Sequence, residues 1–201
     1  MKITTLIFLV LTQISFGQSD LDHSGFNKIR LGKSYESLKN SLTEVETPPE
    51  YAWFAPMTIE YYMDATGEDS SDYYEMLETD RLIAESLNTK ILWCTFNKKK
   101  DANYFKFPIE CAQLVFTNDI LIGISLVFDK NDMTTMGKET IIKQFELALG
   151  SGSVNRNFGN PIKHFSRNWK LGNINVRVSD ASWDLGTGES FNVIFESFDQ
   201  P

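Results

Sequence analysis

Apolar and polar positions change rhythm several times along the chain, and those changes divide it into elements. Tyr35, Leu38 and Leu42 recur at helical spacing behind Ser34, a good N-cap, which predicts a helix from Ser34 to about Thr43. Thr47-Pro48-Pro49 ends it, because proline lacks the backbone donor. Met57, Ile59, Tyr61 and Met63 then alternate with Thr58, Glu60, Tyr62 and Asp64, the period of a strand. Beyond the acidic turn from Thr66 to Ser71, Tyr73, Met76, Leu77, Ala84 and Leu87 share one side of a second helix, Asp72 to Leu87.

The next pattern is a series of hairpins. Ile91 to Phe96 and Ile109 to Phe116 read as strands around the polar stretch Asn97 to Asn103. Asn118-Asp119 is a two-residue turn into the strand Ile120 to Phe128, whose almost uniform apolar character places it near the centre of a sheet. Ile141, Ile142, Phe145, Ala148 and Leu149 stripe a helix from Lys138 to Leu149, with Gly150 as its stop. Ser151 to Asn160 reads as a flexible Gly/Ser/Asn loop. Phe165 to Leu171 and Ile174 to Ser179 flank the turn Gly172-Asn173, which pairs Trp169 with Val176, and a last strand runs from Phe191 to Phe198.

These elements predict an α+β fold: a largely antiparallel sheet of about six strands with helices on one face. Gly32-Lys33 and Gly137-Lys138 each precede a helix followed by three strands, read as two tandem repeats, 29–133 and 134–201, sharing one core. The first half adds an aromatic insert and the second helix. The stretch Ile29-Arg30-Leu31-Gly32-Lys33-Ser34-Tyr35-Glu36-Ser37-Leu38 resembles the opening helix of the BamE-like and beta-lactamase-inhibitor-protein-like envelope domains. Those families usually close that motif with Leu-Gly-x-Pro, where this chain has Leu42-Thr43-Glu44-Val45. The resemblance implies helices on a small antiparallel meander serving as a protein-binding scaffold, and it transfers no functional residues.

The N-terminus predicts an address. Met1-Lys2 is a short positive region, Ile3 to Leu11 is apolar but for Thr4 and Thr5, and Ser15 and Gly17 place small residues before a cleavage point. The expectation is a signal peptide over 1–17, cleavage near Gly17, a flexible leader over 18–28, and a periplasmic or secreted product. No later run reaches the ~18 apolar residues of a membrane span, and no cysteine stands where a lipoprotein anchor needs one. Export permits disulfides. A hairpin centred between Ala102 and Asn103 sets Cys94 opposite Cys111, so a bridge is expected there, with two buried free thiols as the alternative.

Charge and chemistry narrow the function. Nineteen Lys and Arg against 27 Asp and Glu give a net charge of −8, which repels nucleic-acid backbones. Two histidines and two cysteines offer little for a zinc site, and HExxH, paired CxxC, GxSxG and P-loop patterns are absent from the sequence. The acids from Asp64 to Asp72 lack the EF-hand spacing and suit a helix N-terminus instead. His23, between Asp22 and Ser24, sits in the leader and cannot form a relay with its own neighbours. No catalytic residue, metal or cofactor is therefore assigned. Residues 50–64 hold Tyr51, Trp53, Phe54, Tyr61 and Tyr62, residue types that dominate interface hot spots. Two readings of these rings stand side by side, a binding surface or a plug for one end of the core. The expected function is a non-catalytic exported protein that binds a protein partner. A carbohydrate-binding module or small glycan-directed hydrolase is the alternative, since aromatic faces beside acids also suit sugars.

Overall fold

The computed structural model describes residues 24–46, 66–98, 102–129, 133–157, 162–183 and 188–198, together with residues 49, 63 and 131. The signal region, His23 and, Met63 apart, the aromatic insert lie outside the described residues.

The first described elements are β1 (Gly25–Phe26) and β2 (Ile29–Arg30), a small antiparallel hairpin. Phe26 and Ile29 are buried, so the expected leader is tied to the core from Ser24 onward. Helix α1 (Tyr35–Leu38) is one turn long, tightens into a 3-10 turn over Lys39–Ser41, and gives way to β3 (Leu42–Glu44). Then come α2 (Ser70–Ser86), β4 (Thr89–Phe96), β5 (Asn103–Tyr104), β6 (Phe107–Thr117) and β7 (Ile120–Phe128). Helix α3 (Thr135–Leu149) leads to β8 (Ser153–Asn157), β9 (Ile162–Leu171), β10 (Ile174–Trp183) and β11 (Gly188–Ser197).

Nine strands form one antiparallel sheet in the order β3-β4-β6-β7-β11-β10-β9-β8, with β5 paired to the start of β6. The fold is α+β as expected, but the sheet is larger than six strands. Each half lays its strands in chain order from an edge towards the centre, and the last strands of the halves, β7 and β11, pair there. The central place expected for Ile120–Phe128 is the one observed.

Three strands enlarge the sheet: the short β5 beside β6, and the two edges, β3 and β8. The spacing of Leu38 and Leu42 predicts helix to about Thr43; instead Leu42 pairs with Phe96 and Thr43 with Thr95. Residues 153–157 were expected as a loop. Ser-Val-Asn-Arg-Asn has no strong alternation, and only pairing with β9 makes it a strand.

One core spans both halves. Leu92, Leu114, Ile124, Leu126, Val193, Phe195, Val176 and Val178 project from the sheet, and Leu38 of α1 and Ile141 and Phe145 of α3 close over them. The Phe145 ring stacks on Trp169 at 5.3 Å between centroids. Gly137 lets α3 approach closely, since a Cβ there would stand 2.9 Å from the Phe107 ring. Turns follow sterics: Asn118 and Asp119 both take positive φ, 49° and 65°, as the right-handed strand twist requires of a two-residue turn.

Candidate binding surfaces

Helix α2 is unlike the other described helices, α1 and α3. Asp69 caps it by accepting from Ser71 N–H at 2.7 Å and from Asp72 N–H, while the Asp72 carboxylate accepts from Asp69 N–H at 3.3 Å, a reciprocal capping box. These bonds hold the Asp69 carboxyl below its usual range, the Ser71 hydroxyl contributing most. The acidic turn thus serves a helix N-terminus. Farther along, Arg81 donates to Glu78 at 2.8 and 2.6 Å and also to Glu85, a surface cluster on one flank. At the far end Asn88, at φ 48°, donates through its side chain to Asn118 at 2.9 Å, and its carbonyl accepts from Asn118 N–H. That clip ties the helix end to the β6–β7 turn.

Between these fixtures no side chain of α2 is buried. Ile83 and Leu87 are about half exposed, at 52% and 50%, and Leu77 is 40% exposed. Tyr73, Met76 and Ala84 are only partly covered. The apolar stripe read from the sequence is therefore present, but it is not part of the core. The legible signal was Asp80, a carboxylate in the middle of that stripe, which a core-facing helix would not tolerate unpaired.

The sheet face opposite α3 is polar in the second half. Asn155, Ser166, Ser179 and Asn192 stand in one row across β8 to β11. The centre of this face is closed, with Ser125, Ser166, Ser179, Ser190 and Asn192 all buried. At its margin His164 shares a 2.9 Å hydrogen bond between Nε2 and the Ser179 hydroxyl. Burial, and after it the Arg177 charge, lowers the His164 pKa, with Asp180 opposing. Asp180 does not complete a triad. It follows Ser179 on a strand, so it faces the other side, where Lys138 of α3 binds it at 2.8 Å.

The expected Cys94–Cys111 bridge is corrected by the register. Both cysteines are free and buried. Cys94 pairs with Ala112, not Cys111, and the β6–β7 register shifts between Ile109 and Cys111. A one-residue difference reverses the side-chain direction. Cys94 joins Leu92 and Leu114 in the main core, whereas Cys111 packs with Trp93 and Val127 on the opposite face. Burial pushes each thiol up to about 12, with Glu44 adding for Cys94 and Glu110, then Cys94, for Cys111.

A cleft of about 300 Å³ lies at one end of the sheet, lined chiefly by Leu31, Ile120, Leu121, Ile122 and Ile174. It gathers few polar side chains. Among the described residues, no group of three or more His, Cys, Asp or Glu is placed to hold a metal ion. Nor is any described helix long and apolar enough to cross a membrane. Tyr51, Trp53, Phe54, Tyr61 and Tyr62 fall outside the described residues; among the described ones, α2 is the regular element that exposes the most large apolar side chains, Tyr74, Leu77, Leu82 and Ile83.

No family model, curated protein or solved structure matches this chain. The functional reading therefore stands on the geometry.

Proposed function

We propose that this is an exported, non-catalytic binding protein that engages a protein partner, with α2 as a contact element. One observation carries the reading: a 17-residue helix, capped and clipped at its ends, buries none of its side chains. Helices of that length draw most of their stability from packing an amphipathic face, so a stripe with no buried side chain is an element with surface left to cover. The broad sheet supplies rigidity, and the aromatic insert of residues 50–64, which comes before α2 in the sequence, offers further candidate anchors. Export is read from the charged, apolar and small-residue order of the first 17 residues. The inward strand order of the two halves supports reading them as tandem repeats, in line with the resemblance to envelope scaffold domains.

A photo-crosslinking residue at position 83 tests the reading in the extracytoplasmic fraction of the source cells. A discrete adduct with one protein is expected from that site, and none from position 147, an exposed position on α3. Adducts equal from both positions, or none from position 83, would refute it.

A further inference from the structure

The chemistry of the partner follows from the arrangement of α2, and this step rests on α2 being the docking element. Tyr73, Met76, Asp80, Ile83 and Leu87 succeed one another at alternating spacings of three and four residues, with Leu77 and Ala84 beside them. That spacing is the seam along which one helix meets another. Asp80 occupies the middle of its five positions, so a second copy in register, parallel or antiparallel, would set Asp80 against Asp80. The flanks add to this. Asp72, Glu75, Glu78, Asp80 and Glu85 stand against Arg81 alone, and Arg81 is already engaged by Glu78 and Glu85. Among the described residues Glu75 and Asp80 have no ion-pair partner. An apolar surface laid over the seam would bury the Asp80 charge uncompensated, and an anionic bilayer would repel the helix. A lysine or arginine opposite Asp80 instead converts it into a register mark.

We propose that α2 docks seam to seam on an amphipathic helix of a partner protein whose apolar positions are flanked by lysine or arginine.

The test uses the full chain, isotope-labelled for amide spectra, at about 0.15 M salt, where exposed charges are screened beyond ~8 Å. Three probes are titrated: a helical peptide with a leucine seam flanked by lysine, the same peptide flanked by glutamate, and vesicles of phosphatidylglycerol and phosphatidylcholine. The lysine peptide is expected to bind and to shift amides of residues 73–87. Ile83→Ser, which leaves the charge unchanged, should weaken it about tenfold or more. Asp80→Lys should weaken the lysine peptide about tenfold and strengthen the glutamate peptide. Circular dichroism accompanies each variant, and Leu87→Ser replaces Ile83→Ser if the latter loses helix. Glutamate-peptide binding as tight as lysine-peptide binding would overturn the basic partner while leaving α2 as the docking element. Binding of neither peptide, or unchanged affinity in Ile83→Ser, would overturn both statements. Vesicle binding, or a stable dimer broken by Ile83→Ser, would replace the partner helix with a membrane or a second copy.

Discussion

Truncating Phe145 to alanine separates the helix that holds the fold from the helix that does not. Phe145 is fully buried under α3, stacked on Trp169, with the Tyr104, Phe105 and Phe195 rings at 6.1, 6.1 and 6.4 Å. A buried phenylalanine removes about 150–250 Å² from water, and alanine retains part of that. Losing roughly 120 Å² of apolar burial at ~25 cal/mol per Å² costs about 3 kcal/mol. The lost ring contacts add about 0.5–1.5 kcal/mol. The sum, about 3–5 kcal/mol, agrees with the usual range for this truncation. It corresponds to a fall in melting temperature of roughly 6–20 °C for a chain of this size. Urea unfolding followed by tryptophan fluorescence and circular dichroism measures it. Ile83→Ser on α2 is the paired control, expected within about 0.5 kcal/mol of wild type because the side chain is half exposed. A loss below about 1.5 kcal/mol for Phe145→Ala would show that α3 is not packed on the sheet as described. A loss above about 2 kcal/mol for Ile83→Ser would show that α2 is a core helix, and the docking argument would fall with it.

Other expectations are as direct. In the native protein Cys94 and Cys111 should resist iodoacetamide near neutral pH, because burial keeps both thiols protonated, and both should label once denatured without reductant; a protected pair in denaturant would mean a disulfide. His164 should titrate below its ordinary 6.5 in an NMR pH series. Its folded pKa lies below the unfolded one, so the unfolded chain binds more protons between them. Its contribution to stability is full above about pH 6.5 and shrinks as pH falls towards the folded value. His164→Gln should flatten that part of the stability–pH curve, and an unchanged slope would contradict it. Lys138→Met leaves Asp180 half-buried beside Phe165 and Phe191 without its 2.8 Å partner, at a cost of about 1–3 kcal/mol. Adding Asp180→Leu should restore most of the loss, and additive losses would refute the coupling.

Elements governed by local sterics were readable from residue order alone. Asn118-Asp119 and Gly172-Asn173 both make the turns expected, and Trp169 does pair with Val176. The stripe through Ile141 and Phe145 is a helix stopped by Gly150, and the apolar run from Ile120 is the central strand. Such signals depend on a few neighbouring residues, so they survive without knowledge of the rest. What the tertiary structure alone decided were matters of partner choice. Leu42–Glu44 and Ser153–Asn157 became edge strands because β4 and β9 offered them free backbone groups, against their own weak preferences. A one-residue difference in register, too small for any local pattern to fix, put Cys94 and Cys111 on opposite faces of the sheet. The stripe of α2 had the same periodicity as the buried face of α3; Asp80 in its middle was the one sequence sign of a difference, and the folded chain showed the stripe covered only in part. Periodicity says that a helix has an apolar side, and the sum of long-range packing says whether its own chain covers that side.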